Sequence, residues 1–517
     1  MIALCDIANI VSSMHSKGIR IWSERGELHY RAPSGALSPD EIESLRARKS
    51  ELIEFLDRST PAATREPPLQ PRSPSDHVPL TVQQQWLWDN IQRDRVWHFS
   101  IGNAVRISGP LDVEILKRSL EEIVRRHESL RTRIVLLDGT PKQQIDTTCC
   151  CHLEVCPLTG NSNIESEAKS LVEALIFEPC DLAKGPLFRA RVLVLDDRDH
   201  ILVLALDHLI ADGFSLAILL RDLWSVYIQF VRGLPISLPK MDVQYADYAV
   251  WQRDTQSYWA EKHGTYWASR LATTTRVRLP ADEQISHVAP FTPAGMQIAL
   301  GKNLSADLHA LAAREHITVT LCLLAAYAIV LSRWCGTQDM VIPFNAVGRH
   351  RSDLANTIGY FAHVLHLRIV LLEGDTFRDV LKRVVKEYGN ACEHHDFGRI
   401  VAHKPQYVEG TWFQWNPRPP AANVKSTAPA SVNQPGLRIK SFPFKRTINP
   451  EDRMRMDLVL AFSETAEGIV GEGGYRADLF KESTMARLVT ELQALLRQCV
   501  EDPGVTIVAR QDRSPIP

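Results

Sequence analysis

One histidine in this chain stands where a reactive group is built. The run Ile-Leu-Val-Leu-Ala-Leu over 201–206 is apolar enough for a buried strand, and it ends abruptly in Asp207-His208. Three apolar residues follow, then Asp212-Gly213, and a helix pattern starts near Ser215. Loops at strand ends present reactive side chains from a rigid scaffold. A histidine there can take a proton from an attacking nucleophile, because its ordinary pKa of about 6.5 lies near working pH. Asp212 is placed to pair with an arginine and fix the loop. Gly213 admits a positive φ or a close backbone approach. Taken alone this spacing arises by chance, and a histidine after an apolar strand is also often a structural residue.

The elements that must position His208 follow from periodicity. Leu111, Ile115, Leu116, Leu120, Ile123 and Val124 lie at helical spacing. Segments 187–195 and 200–206 read as strands, and 215–227 as an amphipathic helix. Segments 304–314 and 319–333 look helical, 364–372 and 456–462 look like strands, and 481–500 is a closing helix. Segment 235–271, rich in aromatics and turns, is expected to connect two lobes. This alternation predicts an α/β protein of two lobes. No short-period internal repeat interrupts it.

A composition break precedes these lobes. Six prolines fall between Asp57 and Leu80, with few large apolar residues. That stretch, 58–77, is expected to be an extended linker. It isolates residues 1–57. Here 6–16 offers a short helix, and Ile19–Trp22 and Leu28–Arg31 flank a glycine-containing turn, the pattern of a β-hairpin. Ser38-Pro39-Asp40-Glu41 starts a helix, with Ser38 as cap and Pro39 in the first turn. Ile42, Leu45, Leu52, Ile53 and Leu56 line one face of it. So short a unit has a marginal core and seldom does chemistry.

Composition excludes several functions. Of 517 residues 45% are hydrophobic and 23% charged, ordinary for a globular protein, and net charge is -2. Nucleic acid and an anionic membrane surface both ask for a basic field that is not here. No apolar run reaches the roughly 20 residues of a membrane span; the patch 321–331 reads as a buried helix. The N-terminus lacks a basic region before its apolar stretch, so a cytoplasmic location is expected. Of the ten cysteines, Cys149, Cys150 and Cys151 are adjacent, beside His152 and near Cys156. Consecutive cysteines lack the spacing that presents two thiolates to zinc, so no metal site is expected.

The histidine motif becomes specific through its company. Residues 1–57 resemble the N-terminal β-hairpin docking domains of nonribosomal peptide synthetases, of the TubC type, in Gly18-Ile19, the hairpin, Arg31–Gly35 and the following helix. From Leu80 to about Phe480 the chain resembles their condensation domains, in the family's motif order. Asp207–Gly213 matches H-H-x-x-x-D-G apart from the first position. Thr81–Trp88 looks like the opening helix motif, and Arg126–Thr132 like R-H-E-x-L-R-T. Tyr245–Trp251 resembles Y-x-D-Y-A-x-W. Gly348-Arg349 and Ile358–Phe361 resemble the G-R and I-G-x-F segments. His395–Phe397 partly fits a later motif, and Asp478–Phe480 sits where Y-x-x-x-L-F ends.

The resemblance implies two chloramphenicol-acetyltransferase-like lobes, 78–255 and 256–510, forming a V-shaped pseudo-dimer. It implies an acyltransferase that moves an acyl, polyketide or peptidyl chain from a carrier-protein thioester onto an amine or hydroxyl. His208, Asp212 and Gly213 would be the catalytic set, supported by Asp207, Arg349 and Ser215, with Arg349 pairing Asp212. His208 would either deprotonate the acceptor or orient it. His363 stands where asparagine is usual, as an acceptor-side residue or a neutral tunnel wall. Trp415 lies in a segment, Thr411–Trp415, that reads as lobe-crossing, acceptor-side or plain core. Arg20, Arg25 and Arg31 would meet the acidic C-terminal tail of an upstream subunit, or form a solvated face. No bound cofactor is implied; the substrate rides on the phosphopantetheine of a separate acyl or peptidyl carrier protein. No adenylation, carrier or thioesterase motif is seen, so a free-standing enzyme is expected, releasing its chain onto a small molecule or passing it to a second, separate carrier protein. Asp207, Asp212 and Ser215 also fit the D-x4-D-x2-S pattern of heterocyclisation domains, while His208 and Gly213 favour condensation. A CoA-dependent acyltransferase and a catalytically degenerate recruitment platform are the alternatives.

Overall fold

The computed structural model describes residues 20–24, 27–31, 39–59, 67–75, 77–94, 100–147, 153–158, 163–274, 277–282, 292–349, 351–394, 410–416, 436–444, 456–465 and 467–507. The expected helix at 6–16, Arg25, Cys149–Cys151 and His395–Phe397 lie outside these residues. The N-terminal unit contributes β1 (Arg20–Glu24), β2 (Glu27–Arg31), α1 (Pro39–Ala47) and α2 (Lys49–Ser59). The first half of the main body has β3 (His77–Pro79), α3 (Val82–Asp94), β4 (Ser100–Ser108), α4 (Val113–Arg126), β5 (Thr132–Leu137), β6 (Thr140–Ile145), β7 (Leu153–Pro157) and α5 (Ile164–Ile176). It continues with β8 (Phe188–Asp196), β9 (Asp199–Asp207), α6 (Gly213–Val231), α7 (Tyr245–Asp254) and α8 (Gln256–Leu271). The second half has β10 (Pro293–Ala299), α9 (Gly301–Arg314), α10 (Val319–Cys335), β11 (Asp339–Ala346), β12 (His363–Val370) and α11 (Phe377–Glu393). It closes with β13 (Gly410–Asn416), β14 (Arg438–Ser441), β15 (Met456–Thr465), β16 (Gly468–Arg476) and α12 (Glu482–Glu501).

Strands β1 and β2 pair antiparallel, with Arg20 opposite Arg31. Leu45 and Leu52 are buried beneath them. The main body carries two mixed sheets, a five-stranded one ordered β14-β4-β9-β8-β7 and a six-stranded one ordered β10-β16-β15-β13-β11-β12. A third, three-stranded, is ordered β3-β6-β5. The fold is α/β, as expected. Strand β9 is central because both its faces are covered, by α5 on one side and α4 and α6 on the other. A strand covered on both faces reads as a continuous apolar run. Helix α6 is long and apolar enough to cross a membrane by composition, but Leu223, Trp224, Val226 and Tyr227 are buried in the protein core.

Four features differ from expectation. Segment 235–271 is mostly helix, because Tyr245, Tyr248, Trp251, Trp259 and Trp267 are buried on one face or another of α7 and α8. Residues 67–75 of the proline-rich stretch are not a free spacer. Leu69 is buried, Trp251 Nε1 donates to Pro67 O at 2.9 Å, and Arg72 pairs with Asp247 at 2.8 Å. One leucine, one tryptophan hydrogen bond and the ion pairs of Arg72 with Asp247 and Glu128 tie a chain that composition alone marks as loose. The C-terminal half is not a self-contained lobe: β14 adds to the edge of the first sheet, with Ile439 opposite Ile107, and Phe442 is buried there. Segment Thr411–Trp415 is therefore not the lobe-crossing element. It lies in β13, an interior strand between β11 and β15, and Phe413 is fully buried.

Candidate active site

The loop after β9 is built to hold one side chain outward. Asp207 Oδ1 accepts from Leu209 N at 2.9 Å and Asp207 O from Ile210 N at 3.1 Å, closing a turn. Leu209, Ile210 and Ala211 are buried, and Gln84 Nε2 from α3 donates to Leu209 O at 2.8 Å. His208, between these anchors, is only partly buried. The Cys180 thiol lies 3.7 Å from Asp207 Oδ2. Burial, with the nearby carboxylate, pushes that thiol up to about 12. Asp207 therefore supports the turn from behind.

Asp212 is the joint between the two halves. Its Oδ1 accepts from Ser215 N and Ser215 Oγ at 2.8 Å, capping α6, and from Arg349 Nη2 at 3.3 Å. Its Oδ2 accepts from Phe361 N at 3.0 Å and Ala362 N at 3.1 Å. Arg349 also donates to Leu354 O, Thr357 O and Ser215 Oγ at 2.8, 2.6 and 2.8 Å. Its guanidinium is stacked between Phe214 and Phe361. Burial pulls the Arg349 pKa below its ordinary value, against the pull of Asp212. Ser215 Oγ in turn accepts from Gly359 N at 3.1 Å and reaches Gly359 O at 2.7 Å. Gly348 makes this packing possible: its φ is +72°, and a Cβ there would stand 1.9 Å from Phe361 O.

Gly213 departs from expectation. It is the first residue of α6, its φ is not positive, and a Cβ would meet nothing within 4 Å. The absent side chain leaves open space beside the helix N-terminus rather than relieving backbone strain. His363 is buried at the start of β12, opposite Ala346, with Nδ1 3.4 Å from Phe361 O. Trp415 is partly buried against the main core and pairs in register with Phe462. Burial against the core favours the plain-core reading of Trp415 over an acceptor contact. Arg20 and Arg31 are neighbours across the hairpin, far in sequence from this loop.

Other motif residues are structural. His127 is fully buried, with Nε2 3.6 Å from Asp222, and burial lowers its pKa. Asp247 closes a capping box with Gln244 as well as holding Arg72. Three residues with a clear part in the site carried no assigned role in the sequence: Gln84, Tyr245 and Tyr360. Tyr245 Oη donates to Tyr360 O at 2.8 Å, and the Tyr360 ring lies 4.5 Å from the His208 ring, centroid to centroid. All three lie inside recognisable motifs, at positions whose partners are remote in the chain. Among the described residues no group of three or more His, Cys, Asp or Glu is arranged to hold a metal ion.

The arrangement is a partly exposed imidazole on a loop locked between two sheets, with a helix N-terminus opening beside it. Such a group can hold or accept a proton while backbone donors at a helix start face developing negative charge. Residues 7–57 match the TubC N-terminal docking domain. Chondramide synthase cmdD of Chondromyces crocatus is 31% identical over 451 residues, 85% of this chain and 11% of that protein. Phosphinothricin tripeptide synthetase PhsC of Streptomyces viridochromogenes is 30% identical over 494 residues, 90% of this chain and 43% of that protein. The chain thus spans less than half the length of each of these relatives. The X-domain from teicoplanin biosynthesis superposes with a TM-score of 0.72 at 25% identity, covering 86% of this chain and all of that one. The first condensation domain of the calcium-dependent antibiotic synthetase shares the fold, with a TM-score of 0.66 at 21% identity over 84% of this chain and 99% of that one. Residues 74–509 match the condensation domain model, and the chain belongs to the condensation-domain family of the nonribosomal peptide synthetases.

Proposed function

We propose that this chain catalyses acyl transfer from a carrier-protein thioester to an amine or hydroxyl, with His208 at the reacting centre. The observation that carries the reading is the Asp212 joint, which fixes the His208 loop against segment 358–362 of the other half. The acceptor N–H or O–H attacks the thioester carbonyl, and His208 takes its proton. The tetrahedral intermediate collapses with loss of the phosphopantetheine thiolate, which takes that proton back from His208 and leaves the imidazole neutral. The N-terminus of α6 at Gly213 suits the oxyanion, because its first N–H groups lack helical partners. A neutral amine needs mainly positioning; a hydroxyl needs the base more.

The donor is proposed to arrive on an upstream subunit's carrier protein, bound through an acidic tail at the β1–β2 hairpin, with Arg20, Arg25 and Arg31 as its contacts. Tethering raises effective concentration without a tight active-site complex. A recruitment platform without turnover is the second reading; Asp207 at the position of the family's first histidine favours it. The test is intact-protein mass spectrometry of an acyl-loaded carrier bearing such a tail, incubated with wild type or His208→Ala. The acceptor panel holds free amines, free alcohols and an aminoacyl-loaded carrier, which separates chain release from chain extension. Acyl loss with a new conjugate, for wild type only, supports transfer. Binding without turnover across the panel supports the platform. Turnover of acyl-CoA that is indifferent to deletion of residues 1–57 points to a CoA-dependent enzyme.

A further inference from the structure

We propose that Tyr360 is the positioning residue for His208, its ring holding the imidazole in place and stabilising the imidazolium formed when the acceptor gives up its proton. The inference rests on the acyl-transfer reading above. The two ring centroids are 4.5 Å apart at an interplanar angle of 59°, and Tyr360 is 6% exposed. A cation over the face of an aromatic ring within about 6 Å is attracted by the ring's quadrupole, and the tilted approach at 4.5 Å falls within that reach.

Tyr360 is pinned more firmly than any contact to His208 alone requires. Residue 359 is held at both backbone groups by Ser215 Oγ. The carbonyl of Tyr360 accepts from Tyr245 Oη, which is itself 2.9 Å from Thr81 Oγ1. The next two N–H groups are held by Asp212. Every one of these partners belongs to the half of the protein that carries His208. Ring and imidazole are thus referenced to one rigid frame although they come from opposite halves. Titratable groups on the elements around His208 include Asp207 and Asp212 on its own loop, Cys180 against Asp207, Tyr245, Asp247, Tyr248, Arg253 and Asp254 on α7, and Arg349, His363, His366 and Arg368 on the β11–β12 side. Substitution at position 360 leaves all of them in place.

The test uses the full chain with histidine labelled at Cε1 and follows the His208 resonance, assigned by its loss in His208→Ala, through a pH titration by NMR. Tyr360→Leu should lower the His208 midpoint by about 0.5 to 1.5 units and reduce kcat by about 3- to 30-fold with KM little changed. Tyr360→Phe, which keeps the ring, should recover the midpoint relative to leucine. Should the leucine variant not fold, phenylalanines of increasing fluorination at 360 keep the shape while draining the ring face, and the midpoint should fall in step. An unchanged midpoint in a folded Tyr360→Leu, or across the fluorinated series, overturns the inference. Absence of transfer by wild type would remove the acyl-transfer reading alone, since the titration needs no turnover.

Discussion

Replacing Asp212 by asparagine removes one negative charge and almost no volume, and its cost can be worked from the hydrogen bonds the carboxylate makes. Oδ1 accepts from Ser215 N, Ser215 Oγ and Arg349, and Oδ2 from Phe361 N and Ala362 N. An amide offers one acceptor oxygen and one NH2. In one orientation the NH2 meets the Phe361 and Ala362 donors; in the other it meets Ser215 and Arg349. At least two buried donors lose their acceptor, at about 1–3 kcal/mol each. Arg349, 4% exposed, keeps a charge with no other carboxylate paired to it among the described residues. Breaking a buried pair from one side costs about 3–5 kcal/mol, and that is the expected loss for Asp212→Asn. Arg349→Met also orphans Leu354 O and Thr357 O, so a loss of similar size is expected. The two share one joint, and the double variant should lose about 1–3 kcal/mol less than their sum. Urea unfolding by circular dichroism, converted through the wild-type m value, measures all three. Single losses below about 1 kcal/mol, or additivity within about 0.5 kcal/mol, would refute the joint.

The glycines divide by what surrounds them. Gly348→Ala forces a side chain into a left-handed backbone and onto Phe361 O, so a loss of at least about 2 kcal/mol in unfolding free energy is expected. Gly213→Ala meets nothing and should be neutral or stabilising by about 0.5–1 kcal/mol, while carrier-dependent turnover falls at least about tenfold; a full-speed alanine variant would show that the open space is not used. His127 gives a pH dependence. Burial holds its pKa below the ordinary 6.5. Its contribution is complete above about pH 6.5; below that the unfolded chain binds a proton the folded chain refuses, so stability falls toward the folded pKa by up to about 1.4 kcal/mol per pH unit. His127→Gln should flatten the slope of urea midpoint against pH between 6.5 and 5.5, and an unchanged slope would mean the proton is taken up elsewhere.

What could be read from the chain was what local chemistry dictates. Strand β9 announces itself because both faces are covered, and α6 because Asp212 caps an apolar helix. Strand β16 does not, because Gly471 and Gly473 stand where β propensity is poor; Phe462 and Met296 lie over them and leave no room for a Cβ. Helices α7 and α8 were hidden by aromatics that suggest strand or turn until their burial is known. The β4–β14 pairing joins a four-residue, mostly polar strand to one more than 300 positions earlier, and no local pattern encodes such a partner. The site divides the same way. His208 and Asp212 stand out by type and spacing, whereas Gln84, Tyr245 and Tyr360 act through contacts made only in the folded chain.

The D-x4-D-x2-S spacing raises the question of which group on this loop can act as a base, and the hydrogen bonds bear on it. Both oxygens of Asp212 are occupied by donors, in a side chain 2% exposed. Asp207 is equally buried, one oxygen on Leu209 N and the other beside the Cys180 thiol. Ser215 Oγ accepts from Arg349 and Gly359 N, which fills its two lone pairs, and its single proton is shared between Asp212 and Gly359 O. A base must offer a lone pair to a substrate that arrives from outside, and none of these three groups does so without giving up contacts that hold the turn, for Asp207, or the joint between the halves, for Asp212 and Ser215. From 207 to 212 His208 alone is not buried. The carboxylates and the hydroxyl are the frame, and in the acyl transfer proposed above the proton chemistry of this loop falls to the imidazole they hold in place.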